Sequence, residues 1–407
     1  MEDVSERHPG GSRIEDIAVP IRTLDPEDED WSDLEPLRNV IGDARVVGIG
    51  ESAHGVADFH QLRHRILRFL VTELGFSALG TEFGFPDGLA VQQWISGGIG
   101  ELGDVAPGGR ILPFGEGAES RALLHWMRGW NAKSDNQLSF YGLDIPGSLA
   151  PEPAVRACLS RLPSMPGDDG FLKLSYFGGR FDGLSHYKAM PDRDRERLAE
   201  QVATLVGRAE KSGDEIAVRC ARAAVATLRL LDGMGLGDAK AMAQNPREEF
   251  MAETAEWVLR RESRLVIGAH NGHVGRAPLM LPTLGGLLQG RLDRPPVTIG
   301  TTYGSGVIWD IENKVAPTSE WKPELVELLP PEQSLDGLMA QAGLPLHLVD
   351  VKRLSDEMLA GSPNMLVFNM AIPVDVRASF DAIVHVEHVR YMDDSYLTLC
   401  SDLSTDP

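Results

Sequence analysis

Apolar residues recur along this chain with two different periods, and the points where one gives way to the other divide it into strands and helices. Ala44-Arg45-Val46-Val47-Gly48-Ile49-Gly50 is short, apolar, β-branched and closed by glycine, as a buried strand should be. Phe59, Leu62, Ile66, Phe69 and Leu70 then fall at intervals of three, four, three and one, which puts them on one face of a helix. Asp58 stands where it can cap that helix and Gly75 where it can end it. Ser77-Ala78-Leu79-Gly80-Thr81-Glu82-Phe83 follows as a second strand. A strand, helix, strand unit of about forty residues predicts parallel pairing through a right-handed crossover.

The same look returns in Gln137-Leu138-Ser139-Phe140-Tyr141-Gly142-Leu143-Asp144 and in Arg264-Leu265-Val266-Ile267-Gly268-Ala269-His270, each a strand ending in a polar residue. Residues 295–302 and 380–386 read as further strands. Between about 190 and 262 the chain is rich in Ala, Leu, Arg and Glu with few breakers, which predicts several helices. The last begins at Asn245 as N-cap, with Pro246 in the first helical position and Glu248 placed for a capping box. The expected fold class is α/β, three layers with a mostly parallel central sheet flanked by helices, plus a helical lid or side bundle. Residues 1–30 are an acidic lead-in, surface-bound or mobile. Residues 31–407 are expected to form the α/β domain, with a mainly helical elaboration at about 150–262.

Composition narrows the function. Hydrophobic residues at 43% and charged residues at 24% are ordinary globular values and exclude wholesale disorder. The formal net charge of -21 comes without any Lys/Arg-rich run, so nucleic acid is not expected as a partner. Cys158, Cys220 and Cys400 are widely spaced and include no C-x-x-C pair, which indicates neither a disulfide framework nor a thiolate zinc site and fits a reducing cytoplasm. The acidic start leads to no apolar signal region, and no uninterrupted apolar stretch reaches the length of about 18 residues that a membrane span needs. A cytoplasmic enzyme with a small-molecule substrate, no membrane and no cofactor is expected.

Proton-transfer groups collect at the strand ends. Gly48-Ile49-Gly50-Glu51-Ser52-Ala53-His54-Gly55 joins the first strand to the first helix, and ligands of open α/β sheets bind outside the carboxyl ends of the strands. Glu51 and His54 can equally be solvated residues of a glycine-rich connection. Recurrence favours a site: Glu82, Asp144, His270 and His273 end other strands. Asp144 reads more as a residue that caps or orients a loop than as a reacting group. His270-Asn271-Gly272-His273 with carboxylates nearby also admits a divalent metal, although neither H-E-x-x-H nor any cysteine spacing is present, and no metal is assigned. Arg63, two turns into the helix, can either reach back to the strand ends or snorkel at the surface.

Gly50-Glu51-Ser52-Ala53-His54-Gly55, the Arg-bearing helix, Leu74-Gly75-Phe76 and the strand ending in Glu82 resemble the opening signature of the erythromycin esterase family. Tyr141-Gly142-Leu143-Asp144-Ile145, Arg247-Glu248-Glu249-Phe250-Met251-Ala252-Glu253 and Gly268-Ala269-His270-Asn271-Gly272-His273 resemble further blocks in the same order, with a weaker match at Phe380-Asp381-Ala382-Ile383. The resemblance implies a functional set of Glu51, His54, Arg63, Glu82, His270 and His273, with Asp144, Arg247 and Glu248 supporting it or binding substrate. Glu248 departs from the Asp usual in the family, and Val56 from the Thr common after His-Gly.

The implied activity is metal-free hydrolysis of an ester or lactone of a macrolide or other secondary metabolite, as in antibiotic resistance. His54 is the expected base, its tautomer set by Glu51 or Glu82, with Arg63, His270 or His273 meeting charge on the carbonyl oxygen. No Gly-x-Ser-x-Gly elbow occurs, which disfavours a covalent serine intermediate. Alternatives are a biosynthetic enzyme that uses the same groups for cyclisation, elimination or acyl transfer on a polyketide-like substrate, and a divalent-metal hydrolase.

Overall fold

Burial follows the two-residue period of strands covered on both sides. Val47 and Val266 turn to one face of the sheet while Val46, Leu265 and Ile267 turn to the other, and all five are buried. The computed structural model describes residues 13–105, 117–178, 183–278, 281–309 and 325–392. Cys400 and the first twelve residues of the acidic lead-in lie outside them.

The described strands are β1 (Val19–Pro20), β2 (Val46–Ile49), β3 (Ala78–Gly84), β4 (Ser139–Asp144), β5 (Leu265–Gly268), β6 (Val297–Trp309), β7 (Leu325–Leu328), β8 (Leu346–Asp350), β9 (Asn364–Val367), β10 (Met370–Pro373) and β11 (Ala382–Val389). Among the described residues, one sheet runs in the order β1-β8-β11-β6-β2-β5-β3-β4 with β7 added beside β6, and β9 and β10 form a separate hairpin. From β11 to β4 all neighbours are parallel. The antiparallel pairings are β1 with β8, β8 with β11, and β7 with β6. The central sheet is therefore mostly parallel, as expected. On one face, the helix Ala57–Leu74 and the helix Ala118–Asn131 contribute Phe59, Leu62, Ile66, Leu123 and Met127 to a core cluster. On the other, helices between Glu152 and Leu259 contribute Leu198, Val202, Leu231 and Met251. The result is a three-layer α/β molecule, and no described helix is long and apolar enough to cross a membrane.

Three sequence expectations need correction. Strands β2 and β3 are parallel but not adjacent, because β5 lies between them and pairs with both. The 18-residue helix of the crossover sets direction, not adjacency, and β5, buried at every position, requires a neighbour on each side. Asp58 does not cap the helix Ala57–Leu74. The cap position is Val56, while the Asp58 carboxylate accepts the backbone N–H of Arg390 at 2.6 Å and its guanidinium at 2.9 Å, tying the helix start to the end of β11. Asn245 and Glu248 form no capping box at the helix Pro246–Leu259. The Asn245 amide donates to the Pro282 carbonyl at 3.0 Å, and Glu248 turns towards the strand ends.

The acidic segment is held over residues 13–30. Ile14, Ile17 and Ile21 are buried, and the basic side of the helix Ala57–Leu74 is covered by carboxylates that follow them. Fully buried Arg65 donates to Asp33 at 2.8 Å, and Arg68 to Glu27 at 2.5 Å.

Candidate active site

Because β2, β5, β3 and β4 lie side by side and parallel, their carboxyl ends open on one edge of the sheet. Glu51 and His54 follow β2, His270 and His273 follow β5, Glu82 lies in β3 two residues before its end, and Asp144 ends β4. Close approach of backbones makes this possible. A Cβ on Gly50 would stand 2.0 Å from Asn271 Oδ1, and that same side chain donates to the Thr301 carbonyl at 2.8 Å and accepts the Thr301 N–H at 3.2 Å, joining the loop after β5 to β6. A Cβ on Gly268 would stand 2.7 Å from Arg63 Cδ, so the bare glycine lets Arg63 lie flat across β5.

Arg63 is buried and reaches the strand ends: its Nη2 donates to Glu51 Oε2 at 2.6 Å. The other carboxylate oxygen, Oε1, lies 2.5 Å from His54 Nδ1. Burial would raise the Glu51 carboxyl, but Arg63, His54 and His60 facing it hold it well below the usual carboxylate range. An ionised Glu51 accepts the Nδ1 proton, which leaves His54 Nε2 as the basic nitrogen. That atom faces Glu82 Oε1 at 3.8 Å.

Glu82 is the second hub. Its Oε1 accepts Arg247 Nη2 at 2.7 Å and His273 Nε2 at 3.1 Å, and its Oε2 accepts the His270 backbone N–H at 3.2 Å. Burial would raise it too, but His273, His54 and Arg247 hold it low. Asp144 grips Arg247 with both oxygens, at 2.9 and 3.0 Å from Nε and 2.5 Å from Nη2. Glu248 accepts His273 Nδ1 at 2.5 Å and the Leu284 N–H at 2.7 Å. Burial opposes charge on His273, yet the carboxylates of Glu248 and Glu82, one on each ring nitrogen, push it up to about 10. It is an imidazolium at neutral pH.

His270 is brought into the cluster, its ring 5.1 Å from that of His54, but both of its nitrogens are engaged. Nε2 donates to the Ser52 carbonyl at 3.0 Å and Nδ1 accepts the Gly272 N–H at 3.0 Å. Burial, together with His54 beside it, pushes its imidazole down to about 3. A neutral ring with its single N–H already donated cannot meet charge on a carbonyl oxygen, so that part of the expectation finds no support in the geometry.

Two contributors escaped the sequence reading. His60, on the same helix as Arg63, places Nε2 3.8 Å from Glu51 Oε2 and Nδ1 3.2 Å from Ser120 Oγ. Its i, i+3 spacing to Arg63 was the available signal. Phe368, from the β9–β10 hairpin, packs on His54 and His270, and no local pattern announces it. Cys158 and Cys220 are buried among the helices of the other face, and burial pushes the Cys158 thiol up to about 12. Among the described residues, no group of three or more His, Cys, Asp or Glu side chains is placed to hold a metal ion. A cavity of about 480 Å³ lined by Phe85, Phe140, Tyr141 and Trp257 lies elsewhere, against β4.

The sequence profile of the erythromycin esterase family matches residues 71–389. That span contains Glu82, Asp144, Arg247, Glu248, His270 and His273, and begins after Arg63. Erythromycin esterase type II of Escherichia coli is 26% identical over 411 residues, covering 92% of this chain and 96% of that protein. A solved mutant of the erythromycin esterase EreC in its open conformation is similar in fold, with a TM-score of 0.75 at 20% identity over 92% of this chain and 98% of its own. A succinoglycan biosynthesis protein gives a TM-score of 0.74 at 20% identity over 93% and 96% of the two chains.

Proposed function

Since the chain belongs to the erythromycin esterase family, we propose that it hydrolyses an ester or lactone of a macrolide or other secondary metabolite, with His54 activating the water. The observation that carries this reading is the setting of His54: Nδ1 bound by Glu51 at 2.5 Å, and Nε2 facing Glu82 Oε1 at 3.8 Å. A water seated against Nε2 gives its proton to the ring as its oxygen attacks the carbonyl carbon. The imidazolium so formed lies between two carboxylates, Glu51 and Glu82. Negative charge gathers on the carbonyl oxygen, and the fixed cations beside Glu82 are the His273 imidazolium and the Arg247 guanidinium. A preorganised donor in such a place typically contributes about 3 to 4 kcal/mol. When the tetrahedral intermediate collapses, the acyl C–O bond breaks and the leaving alkoxide takes the proton back from His54 Nε2. Acid and alcohol leave, and the base is restored. Arg63 serves this scheme by holding Glu51, and Asp144 and Glu248 serve it by holding Arg247 and His273.

Incubation with macrolides, simple lactones and acyclic esters, followed by mass spectrometry, tests the reaction class. Lactone opening adds the mass of one water, whereas a product isomeric with its substrate would favour cyclisation or elimination. Metal dependence has its own test. Glu51 and Glu82 already have Arg63, Arg247 and His273 as cationic partners, so activity should survive EDTA. Loss in chelator that zinc or manganese restores would overturn that expectation.

A further inference from the structure

The hairpin of β9 and β10 turns on two residues, Phe368 and Asn369, and its tip enters the cluster of histidines. Phe368 has φ 54°, the left-handed region that a bulky aromatic rarely occupies. Such a conformation persists only where the surroundings over-determine it. Here the Phe368 N–H donates to the Ser52 carbonyl at 2.7 Å, and the Phe368 carbonyl accepts the Tyr303 hydroxyl at 3.0 Å. Two residues back along β9, the fully buried Asp336 carboxylate accepts the N–H of Leu366 at 2.8 Å and that of Tyr303 at 3.3 Å, fixing the hairpin to β6.

The ring does not simply fill space. It stacks on His270 at 5.1 Å with 14° between the planes and meets His54 edge-on at 5.2 Å and 72°. The Ser52 carbonyl that receives the Phe368 N–H also receives His270 Nε2, and Ser52 lies in the turn that carries Glu51 and His54. Backbone and ring thus press on one loop from the same side. We propose that Phe368 is a positioning residue, which holds the His54 ring in the orientation that keeps Nδ1 on Glu51 and Nε2 towards Glu82, and keeps bulk water off its face.

The proposal rests on the reading of His54 as the base, and it is tested without substrate. Nitrogen-labelled histidine NMR follows His54, assigned by the signal lost in His54→Asn. Charged and titratable groups around the ring include Glu51, Glu82, His270 and His60. In the wild type the Nδ1 proton shared with Glu51 should give a downfield, slowly exchanging resonance. In Phe368→Ala that resonance should broaden or vanish, because water then reaches the ring and exchanges the shared proton. Phe368→Leu, which keeps an apolar cover, should fall between the two. Tyr303→Phe removes the anchor on the Phe368 carbonyl while leaving the ring in place, and should broaden the same resonance by less, which covers the case in which Phe368→Ala does not fold. Once a substrate is in hand, Phe368→Ala should lower kcat by about 10- to 100-fold with KM little changed, the scale of misplacing a reacting group by about 1 Å. A Phe368→Ala or Tyr303→Phe protein that melts earlier yet keeps the wild-type resonance would reduce Phe368 to packing and overturn the proposal, whatever the reaction proves to be.

Discussion

Replacing His54 with Asn should lower turnover by about 100-fold or more, the usual scale for losing a general base, with little change in KM. The structure sharpens what remains. His270 has both ring nitrogens engaged and is held neutral, while His273 is held protonated between Glu82 and Glu248. Neither can take over as a base at neutral pH, so little activity should remain in His54→Asn. The Cys158→Ser, Cys220→Ser and Cys400→Ser proteins, measured beside it, should keep near-normal turnover. Wild-type turnover in His54→Asn would remove this residue from the mechanism.

Glu82→Gln should damage both activity and folding, because one carboxylate serves Arg247, His273 and the His270 backbone while facing the base. Breaking a buried ionic network by removing one partner typically costs about 3 to 5 kcal/mol, and the loss should appear as a lower melting temperature and turnover down at least as far as in His54→Asn. The effect is pH-dependent with a definite sign. His273 is raised from 6.5 to about 10 in the folded protein, so its contribution is fully present below pH 6.5 and is lost as pH rises through 10. With one of its two carboxylates gone, the alkaline loss of stability should begin at lower pH in the variant. Glu82 itself is held below its ordinary 4.5, so its contribution is present above that value and lost as pH falls, and the acid limb should flatten in the variant. Thermal melts from acid to alkaline pH check both limbs. Curves that run parallel to the wild type throughout would mean that Glu82 is not the hub of the cluster.

Much of the site was legible in the chain because its parts are local. A strand period ending in Gly50 or Gly268, followed at once by Glu51 and His54 or by His270 and His273, announces polar groups at carboxyl strand ends. Arg63 was harder, since an arginine beside an apolar stripe reads the same whether it snorkels or is buried, and only the bare backbone of Gly268 beneath it decides. Asp58 and Glu248 misled for a related reason. Both stand in first helical turns, where a local partner is available, yet each has a stronger one far along the chain, Arg390 for the first and His273 for the second. A charge-assisted bond in a buried site outweighs an exposed cap.

By itself, then, the sequence determined the six parallel strands β2 to β6 and β11, the helical stretch between β4 and β5 and the stock of acid-base groups at the strand ends, because these follow from periods and punctuation read within a few residues. Tertiary structure alone decided which groups meet. The placing of β5 between β2 and β3 sets His270 and His273 between Glu51 and Glu82, and leaves the imidazoles as the proposed base His54, one fixed cation, His273, and two neutral rings, His270 and His60. The hairpin that brings Phe368 onto His54 is more than three hundred residues from it in the chain. Protonation and orientation depend on neighbours within a few ångströms, and in a parallel sheet those neighbours are chosen by pairings that no local stretch of sequence encodes.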